Sequence, residues 1–535
     1  MKKSGFTLVE LLAVITILSL VALVTSISVA NMLKTSKEDL SVAQIKSIEL
    51  AAKSWGADNI DLLPTGNNCS YLTLKDLKDD GLLDSNIVDP KNKTQISNNM
   101  IIKVLSKLNS KGKSVLTYEV DSNNIEGCSY IGNTILVDVP QGLTPVIYDG
   151  TNWKVPELNE EWYNYDKQMW ANAVVLGKGK TKKPGEVVTV EGNNADALMM
   201  LVYIPRFEYK IDGEYGKGGI SAELPGEIEV NFIGKNTITP KEGYHIHPAF
   251  EFDGEKSGFW VGKFELSSVG TGLTSDNNLA CSTTSCTNAQ YLRILPNVSS
   301  LRYNNVSNFW YGIKSIENTS SFGLSNMDIH MMKNSEWGAV AYLSQSKYGK
   351  YGNSDYENKY REVYQNKDAG YITGKSNGTV SKQETRSEGQ CAYNDKTNLG
   401  SDSNGYKKGQ CGPGASTTGN VYGIYDISGG SQEYVMGAYE AETNGVAGIE
   451  LKYYDKDKIN IGATACEENK PCYGYALSIT SGWYDDYHTN SNENYTWLVR
   501  GGSYESNAGA GAFSFGYNDG TAIEDFSTRV VGFRK

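Results

Sequence analysis

The sequence predicts an α+β protein in which a long N-terminal helix and a small antiparallel sheet precede a larger domain of short strands and loops. Residues 11–33 contain no charged side chain, and a helical pattern of apolar residues continues beyond them to about Trp55. The chain of 535 residues has 56 Gly, 35 Tyr and only 13 Pro, which is typical of short strands joined by ordered loops. These observations predict the two parts of the fold.

The first element is a helix over residues 6–55, which we expect to end between Asp58 and Pro64. Its apolar part is long enough to cross a bilayer, which takes roughly 20 apolar residues. A cleaved secretory signal peptide is the alternative, since residues 28–30 have the small side chains of a cleavage site. Two features disfavour it: Glu10 adjoins the apolar run, where a charge costs roughly 2.5–3.5 kcal/mol, and the helical pattern outlasts the run.

The following segments predict a small domain that ends near Pro140. Residues 73–83 have the leucine spacing of a short helix, and residues 114–120 and 133–139 alternate as strands do. Residues 141–175 contain aromatic-rich segments that predict bridging hairpins. The predicted divisions are a leader at 1–5, the helix and sheet at 6–140, the bridge at 141–175 and the larger domain at 176–535.

Cysteine number and net charge restrict the environment and the partners. The eight Cys lie outside the apolar run, and an even number in an exported part predicts disulfides. Reduced thiols or zinc are the alternatives, and zinc is disfavoured because no Cys-x-x-Cys is present and only 4 His occur. The net charge of −12 argues against nucleic acid as a partner. Proximity in sequence suggests the pairs Cys69–Cys128, Cys281–Cys286, Cys391–Cys411 and Cys466–Cys472.

Residues 2–10, KKSGFTLVE, resemble the processing site of type IV prepilins. In that family a prepilin peptidase cuts after the glycine and methylates the new N-terminus, which implies cleavage between Gly5 and Phe6 and methylation of Phe6. The Glu10 carboxylate would then pair with the Phe6 amine of a neighbouring subunit, which compensates the charge and fixes the axial register. A helix followed by a small sheet also resembles the architecture of pilins and pseudopilins.

Four segments of the larger domain carry a second resemblance. In this order they resemble the formylglycine-generating-enzyme-like branch of the C-type-lectin-like fold, although Gly338 replaces the second Glu of that family's E-W-E helix. The resemblance implies a C-type-lectin-like head over residues 176–535. The segments are WVGKFE at 260–265, EWGAV at 336–340, GIYDISGGSQEY at 423–434, and RGGSY at 500–504 with GFR at 532–534.

Most of these residues are expected to support the fold. Arg500 and Arg534 suit buried struts, because one guanidinium can bond several backbone groups. Asp426 and Glu433 suit loops held through backbone amides, with a structural Ca²⁺ as the alternative. No other cofactor is expected.

The resemblance also bears on catalysis. Enzymes of this family oxidise a substrate cysteine with a copper ion held by two cysteines between the RGGS and GFR segments, and residues 500–535 contain no Cys. Cu(I) is a soft ion that needs thiolate ligands. Iron-dependent relatives use a set of histidines, and His245 with His247 lacks a third partner. We therefore expect a head without catalytic residues or a metal site.

Relatives of the same fold include the variable proteins of diversity-generating retroelements, which contact ligands through the last segment before the terminal motif. Here that segment is residues 504–521. Its mixture of small and aromatic residues predicts shallow pockets with Tyr and Asn contacts, the chemistry of antibody loops. Phe513 and Phe515 are expected to face inward. The candidate ligand-binding residues are Tyr504, Ser506, Asn507, Tyr517, Asn518 and Asp519.

Together these features predict a minor or tip type IV pilin-like subunit whose head binds an extracellular protein or glycan, as an adhesin or receptor. Its partners would be the prepilin peptidase and other pilin subunits. It would lie in the cell membrane before assembly and on the cell surface or pilus afterwards. Two alternatives stay open: a pseudopilin of a secretion or DNA-uptake machine, and a membrane-tethered exported oxidase of the formylglycine-generating fold.

Overall fold

The computed structural model describes much of the chain from residue 42 onward, and every structural statement below concerns those residues. The predicted leader, the apolar run and the residues Gly5, Phe6 and Glu10 lie outside them. The chain divides into two compact units with the boundary after Thr134, and each unit has its own hydrophobic core. The described residues are 42–57, 59–60, 63–89, 93–98, 100–120, 128–131, 137–157, 160–192, 194–211, 226–235, 237–269, 279, 281–282, 286–355, 362–376, 390–401, 405, 407–440, 444–446, 448–455, 476, 483–489 and 491–535.

The first unit packs a helix against a four-stranded sheet. Helix α1 covers residues 42–57, and helix α2 covers Leu74–Asp79. The strands are β1 (Cys69–Thr73), β2 (Ile101–Leu108), β3 (Ser114–Val120) and β4 (Ser129–Tyr130). They lie in the order β3-β2-β1-β4, in which β2 is antiparallel to both of its neighbours and β4 is parallel to β1.

Helix α1 holds this unit together through one face. Ile48, Ala52 and Trp55 follow the i, i+4, i+7 spacing of a helix face, and all three are buried against the sheet residues Leu72 and Ile102. Burying these apolar side chains is the main stabilising contribution in this unit.

Several local predictions for the first unit are confirmed. Strand β3 has the predicted bounds, and α2 lies inside the predicted helix 73–83 but ends earlier, at Asp79. The predicted helix 6–55 is confirmed only from residue 42 onward. Of the predicted strand 133–139, residues 137–139 form no strand and the rest lie outside the described residues.

The expectation of a purely antiparallel sheet is wrong, because β4 runs parallel to β1. Residues 128–130 lie alongside β1, and Cys128 adjoins Cys69 with a Cα–Cα distance of 4.5 Å. Across the parts of the chain that the structure describes, no helix combines the length and the apolar character needed to cross a membrane.

The second unit is rich in short strands and is built around a large central sheet. Its helices are α3 (Val306–Lys314) and α4 (Asn334–Ser344). Its strands are β5 (Leu143–Tyr148), β6 (Trp153–Lys154), β7 (Asn172–Val175), β8 (Val187–Val188), β9 (Met199–Pro205), β10 (Phe207–Lys210), β11 (Glu229–Phe232), β12 (His245–Ile246), β13 (Gly258–Gly262), β14 (Ser267–Ser268), β15 (Leu292–Arg293), β16 (Met327–Met331), β17 (Gln432–Ala438), β18 (Trp497–Gly501), β19 (Gly511–Asn518), β20 (Phe526–Thr528) and β21 (Val530–Arg534).

The described strands of this unit form four sheets. The central sheet has the order β16-β21-β13-β9-β7-β5-β6-β8, and the smaller sheets are β11-β10-β12, β14-β15 and β19-β18-β17-β20. The segment 141–175, which the sequence suggested as a bridge, supplies β5, β6 and β7 to the central sheet. It is therefore part of the second unit rather than a connection to it.

Helix α4 connects the central region of this unit to the last sheet. Every residue from Asn334 to Ser344 is buried, including the polar Asn334 and the acidic Glu336 in its first turn. The indole nitrogen of Trp337 donates to the carbonyl oxygen of Ala512 at 2.8 Å and so fixes strand β19. In that sheet β18 is antiparallel to β17 and β19, whereas β20 is parallel to β17.

Candidate functional site

A cleft with a volume of about 480 Å³ lies against the sheet β19-β18-β17-β20. Its volume is in the range of about 300–1,000 Å³ that is typical of small-ligand sites. None of the lining residues carries a formal charge, so the cleft offers aromatic faces, hydroxyl groups and one side-chain amide. The lining residues are Gln432, Tyr487, Val499, Gly502, Ser506, Gly509, Ser514, Gly516, Tyr517 and Phe526.

Small strand residues form the middle of the cleft. Val499 on β18 pairs with Gly516 on β19, and Ser514 lies two residues before Gly516, on the same face of the strand. A Cβ atom on Gly516 would lie 3.3 Å from Cγ2 of Val499 and 3.5 Å from Cε1 of Tyr487, so the strand at Gly516 lies directly beside that ring. The strand pattern thus creates a depression beside an aromatic wall.

The turn after β18 shapes a second wall. Gly501 and Gly502 have φ angles of +83° and +69°, which favour glycine. A Cβ on Gly502 would approach Cα of Ala510 to 2.8 Å, so a larger residue would push the loop away. The backbone N–H of Ser503 donates to Oγ of Ser506 at 2.9 Å, which holds Ser506 at the cleft.

Three tyrosine side chains are exposed in and beside the cleft. The exposed fractions are 55% for Tyr487, 46% for Tyr495 and 36% for Tyr517. The rings of Tyr495 and Tyr517 stack with centroids 4.9 Å apart, and Tyr487 and Tyr517 line the cleft itself. Clustered exposed aromatic side chains mark interaction surfaces, because they leave apolar area in water.

Two of the six candidate ligand-binding residues, Ser506 and Tyr517, line the cleft. Tyr504 and Asn507 are outside its lining. The Tyr504 ring packs against the ring of Tyr371 with centroids 4.9 Å apart. The side-chain oxygen of Asn507 accepts a hydrogen bond from Nζ of Lys367 at 2.7 Å.

The last two candidates shape the turn after β19. Oδ1 of Asn518 accepts hydrogen bonds from the Tyr434 hydroxyl and from the backbone N–H of Gly520. The Asp519 carboxylate accepts from the backbone and hydroxyl of Thr521 at 3.1 and 2.6 Å, and these bonds lower the pKa of Asp519. Both side chains thus hold local backbone.

Sequence reasoning missed most of the cleft. Gln432, Val499 and Phe526 lie on three different strands that the topology brings together, and the apolar Val499 and Phe526 would normally be assigned to the core. Ser514 and Gly516 lie within the predicted segment 504–521 but were not singled out. For Tyr487, the aromatic-rich stretch WYDDY at 483–487 was the available signal.

A buried cluster of three carboxyl groups and one guanidinium supports this sheet. Arg529 donates from Nε to Glu433 at 3.0 Å and forms a second bond to it from Nη2. Oε1 of Glu265 accepts from the backbone of Ser431 at 2.8 Å, and Asp426 accepts from the backbone N–H of Gly374.

The cluster contains three carboxyl groups but one guanidinium, and this imbalance affects the pKa values of the carboxyl groups. Burial, together with repulsion from Asp426 and Glu433, raises the pKa of Glu265 well above its usual range. Burial raises the pKa of Glu433 to about 7, although Arg529 opposes this shift. One guanidinium cannot compensate three carboxylates, so Glu265 should bind a proton more readily than an ordinary carboxyl group does.

The predicted supporting roles need two corrections. Arg534 is exposed at the end of β21 and pairs with Asp138 at 2.6 Å, so its assignment as a buried strut is wrong. Glu433 was expected to hold backbone amides, but its carboxylate pairs with Arg529, which sequence reasoning missed. Asp426 does bind a backbone amide, as predicted.

Arg500 is a buried strut, as predicted. Its guanidinium donates to the carbonyl oxygens of Ala476 and Ala512 at 3.3 Å and lies near the rings of Trp337 and Phe515. Burial lowers its pKa to about 9. Both Phe513 and Phe515 are buried, as expected for inward-facing strand residues.

The histidine pair lies away from the cleft lining. His247 is buried against the rings of Phe207 and Tyr209, and His245 is half-buried on β12. Within the described ranges, no group of three or more His, Cys, Asp or Glu side chains is arranged to hold a metal ion.

Three of the predicted cysteine pairs are within disulfide distance. The Cα–Cα distances are 4.5 Å for Cys69–Cys128, 4.1 Å for Cys281–Cys286 and 5.8 Å for Cys391–Cys411. The fourth predicted pair, Cys466 and Cys472, lies outside the described residues.

Helix α1 presents a second candidate surface. Ile45, three residues before Ile48, extends the buried side, whereas Val42 and Leu50, with exposed fractions of 67% and 58%, lie on the other side. An ion pair of 3.5 Å between Lys46 and Glu49 lies on the same side. A helix with apolar residues on two sides has area available for a second packing partner.

Residues 1–26 match the family model of the prokaryotic N-terminal methylation motif. A comparison with curated proteins finds no match to the chain. The motif implies processing by a prepilin peptidase, assembly with other pilin subunits, and a chain anchored in the membrane before it reaches the surface or pilus. The N-terminal motif therefore indicates a type IV pilin-like or pseudopilin subunit.

Proposed function

We propose that this chain is a minor or tip subunit of a type IV pilus-like assembly, and that its head binds an extracellular ligand as an adhesin or receptor. The observation that carries the proposal is the uncharged cleft at the last sheet, with exposed Tyr487 and Tyr517 in its lining. This cleft includes part of the segment 504–521, where the resemblance to variable C-type-lectin-like proteins predicts ligand contacts.

The surroundings of the cleft favour a binding role. The Arg529–Glu433 pair lies beneath the sheet, and Arg500 ties strand β19 to the segment at Ala476 through carbonyl groups. A surface held in one conformation loses little freedom when a ligand binds, which favours affinity.

The size of the second unit favours a minor or tip position. It covers residues 135–535, whereas the unit that carries the helix ends at Thr134. A head of this size on every subunit would crowd a tightly packed filament. The exposed side of α1 with Val42 and Leu50 offers a surface for contact with neighbouring helices.

We propose further that the head is a non-catalytic member of the C-type-lectin-like fold. The support is chemical: residues 500–535 contain none of the cysteines that formylglycine-generating enzymes place there to bind copper. A pseudopilin of a secretion machine would use the same cleft to bind exported cargo. Whether the chain lies on surface fibres or in the cell envelope therefore distinguishes the pilus subunit from the pseudopilin.

Two measurements on cells that assemble the full chain test the proposal. Immunogold labelling of the head should mark fibre tips or sparse positions on surface fibres. Fibres should be retained on at least one member of an immobilised panel of extracellular proteins and glycans. Fibres that contain the same amount of the Tyr487→Ala/Tyr517→Ala double variant should be retained less. The proposal would be contradicted if the label were confined to the cell envelope. It would also be contradicted if no panel member retained the fibres, or if the doubly substituted chain were retained as well as the wild type.

A further inference from the structure

The shape of the cleft restricts its ligand to a compact group. Tyr487, Phe526 and the loop at Gly502 line a half-open depression with a volume of about 480 Å³. A standard protein–protein interface, by comparison, covers about 800 Å² on each partner. The cleft therefore suits a small unit that enters it rather than a broad flat surface.

The absence of charge in the lining restricts the ligand further. Each of the lining residues is aromatic, aliphatic, glycine, serine or glutamine. A phosphate, sulfate or carboxylate group placed there would lose water without gaining an opposite charge, which is unfavourable. The lining thus favours a neutral ligand.

The backbone that carries the exposed Tyr487 ring is held in place. Its backbone N–H donates to the carbonyl of Gly509 at 3.1 Å, and its carbonyl accepts from the N–H of Phe515 at 2.9 Å. The neighbouring Asp486 carboxylate accepts from the N–H of Phe513 at 3.0 Å, which anchors the loop to β19. The anchored backbone thus presents an exposed aromatic ring at the cleft, and such a ring can stack on a ligand.

The remaining lining groups are suited to hydroxyl-rich ligands. The amide of Gln432, the hydroxyls of Ser506 and Ser514, and the phenols of Tyr487 and Tyr517 include both donors and acceptors. A sugar ring has an apolar face of C–H groups and an edge of hydroxyl groups. The cleft offers a matching combination of aromatic plane and neutral polar groups.

We infer that the cleft binds an uncharged saccharide, with a sugar ring stacked on Tyr487 and hydroxyl groups directed to Gln432, Ser506 and Ser514. The inference rests on the proposed ligand-binding function of the head and names the chemical class of its ligand. Tyr495, stacked on Tyr517, extends the aromatic surface beyond the cleft and would contact a second sugar unit.

The test uses the full chain solubilised in a zwitterionic detergent that contains no sugar. The chain is applied to an array of immobilised neutral and acidic oligosaccharides. Neutral disaccharides that bind on the array are then titrated by saturation-transfer NMR. We expect saturable binding of at least one neutral saccharide. Tyr487→Ala should weaken it about tenfold or more, because a lost stacking contact is worth up to about 1.5 kcal/mol in addition to the buried area.

Matched variants separate stacking from folding. Tyr487→Phe keeps the ring and should bind within about threefold of the wild type, since stacking is retained. Ile238→Ala removes an exposed apolar side chain outside the cleft lining and should leave binding unchanged. Comparable thermal unfolding of the three variants would show that the head remains folded.

Three results would overturn the saccharide assignment: no neutral saccharide binds saturably, acidic saccharides bind more tightly than neutral ones, or Tyr487→Ala binds like the wild type. If fibres are instead retained on a protein in a manner that needs Tyr487 and Tyr517, the saccharide inference fails and the adhesin proposal stands. If no panel member retains fibres, both fail.

Discussion

Helix α1 and the cleft of the head both expose apolar side chains, but the two surfaces have different chemistry. The α1 surface presents aliphatic residues such as Val42 and Leu50 beside an ion pair, with no aromatic group. The cleft presents the rings of Tyr487 and Tyr517 together with hydroxyl groups and an amide. Aliphatic area favours packing against another helix, whereas rings with polar edges favour selective binding of a ligand.

The interiors beneath these surfaces differ as well. The first unit is held by apolar packing of Ile48, Ala52 and Trp55 on a sheet. The sheet under the cleft rests on the buried pair of Arg529 and Glu433. Substitutions can therefore remove one surface while the other is left intact, and the following predictions use that separation.

The largest effect is expected from Arg529→Ala. It leaves Glu433 buried without its partner, which should lower the free energy of unfolding of the head by about 3–5 kcal/mol. Chemical unfolding followed by tryptophan fluorescence measures the change. The matched control is Arg534→Ala, because Arg534 forms an exposed pair with Asp138 and should cost about 0–1 kcal/mol. Equal effects of the two substitutions would refute the supporting role of Arg529.

Ile48→Ala should destabilise the first unit and leave ligand binding by the head unchanged. Ile48 is buried under α1, and truncation of a buried isoleucine to alanine costs about 2–5 kcal/mol. Hydrogen exchange of the amides in β1 and β2 reports the loss. Faster exchange in β18 and β19 as well would show that the two interiors are coupled.

The carboxyl cluster predicts a pH dependence of head stability. Glu433 has a pKa of about 7 in the folded chain against an ordinary value of 4.5, so the folded state holds a proton that the unfolded state releases. The free energy of unfolding is therefore highest below about pH 4.5 for this group and falls as the pH rises to about 7, by on the order of 1–3 kcal/mol. Urea midpoints at pH 5 and pH 8 measure this fall.

Glu265→Gln is the matched variant for that experiment. It removes a second carboxyl whose pKa burial and repulsion raise, and an amide oxygen can still accept from Ser431. The decline in stability between pH 5 and pH 8 should be smaller than in the wild type. An unchanged decline would mean that Glu265 is already ionised in the folded chain.

The smallest effect on stability is expected from Leu50→Ala. Its side chain is largely exposed, so the free energy of unfolding should change by no more than about 0.5 kcal/mol. Incorporation of the chain into surface fibres should nevertheless fall several-fold, which quantitative immunoblotting of sheared fibres detects. Ile48→Ala should thus lower the stability of the first unit, whereas Leu50→Ala, in the same helix, should lower incorporation into fibres at nearly unchanged stability. Incorporation of the Leu50 variant at the wild-type level would show that α1 is not an assembly surface.

Predictions from the sequence were correct for elements set by neighbouring residues. They were wrong for features that depend on contacts between distant segments. The alternating residue pattern of residues 114–120 was enough to predict the bounds of β3, Ser114–Val120. Parallel pairing of β4 with β1 depends on how the chain returns after β3, which no local pattern records. Arg534 stands in a recognisable GFR segment and was given the role of a buried strut, whereas Arg529, five positions earlier, performs it.

The cleft shows the same division. Segment 504–521 could be located from its position before the terminal motif, and it supplies Ser506, Ser514, Gly516 and Tyr517 to the lining. Gln432, Val499 and Phe526 join them only because β17, β18 and β20 lie side by side. The order of strands in a sheet is set by packing across the whole unit, so these residues could not be selected from the sequence alone.

Assembly into a fibre requires an N-terminal helix that is trimmed and retained. Mass spectrometry of the chain purified from membranes or surface fibres tests this without any substitution. The mature polypeptide should begin at Phe6 with a methylated amine. A polypeptide that begins near Asn31 would contradict this prediction, because the apolar segment and Glu10 would then be missing from the mature protein.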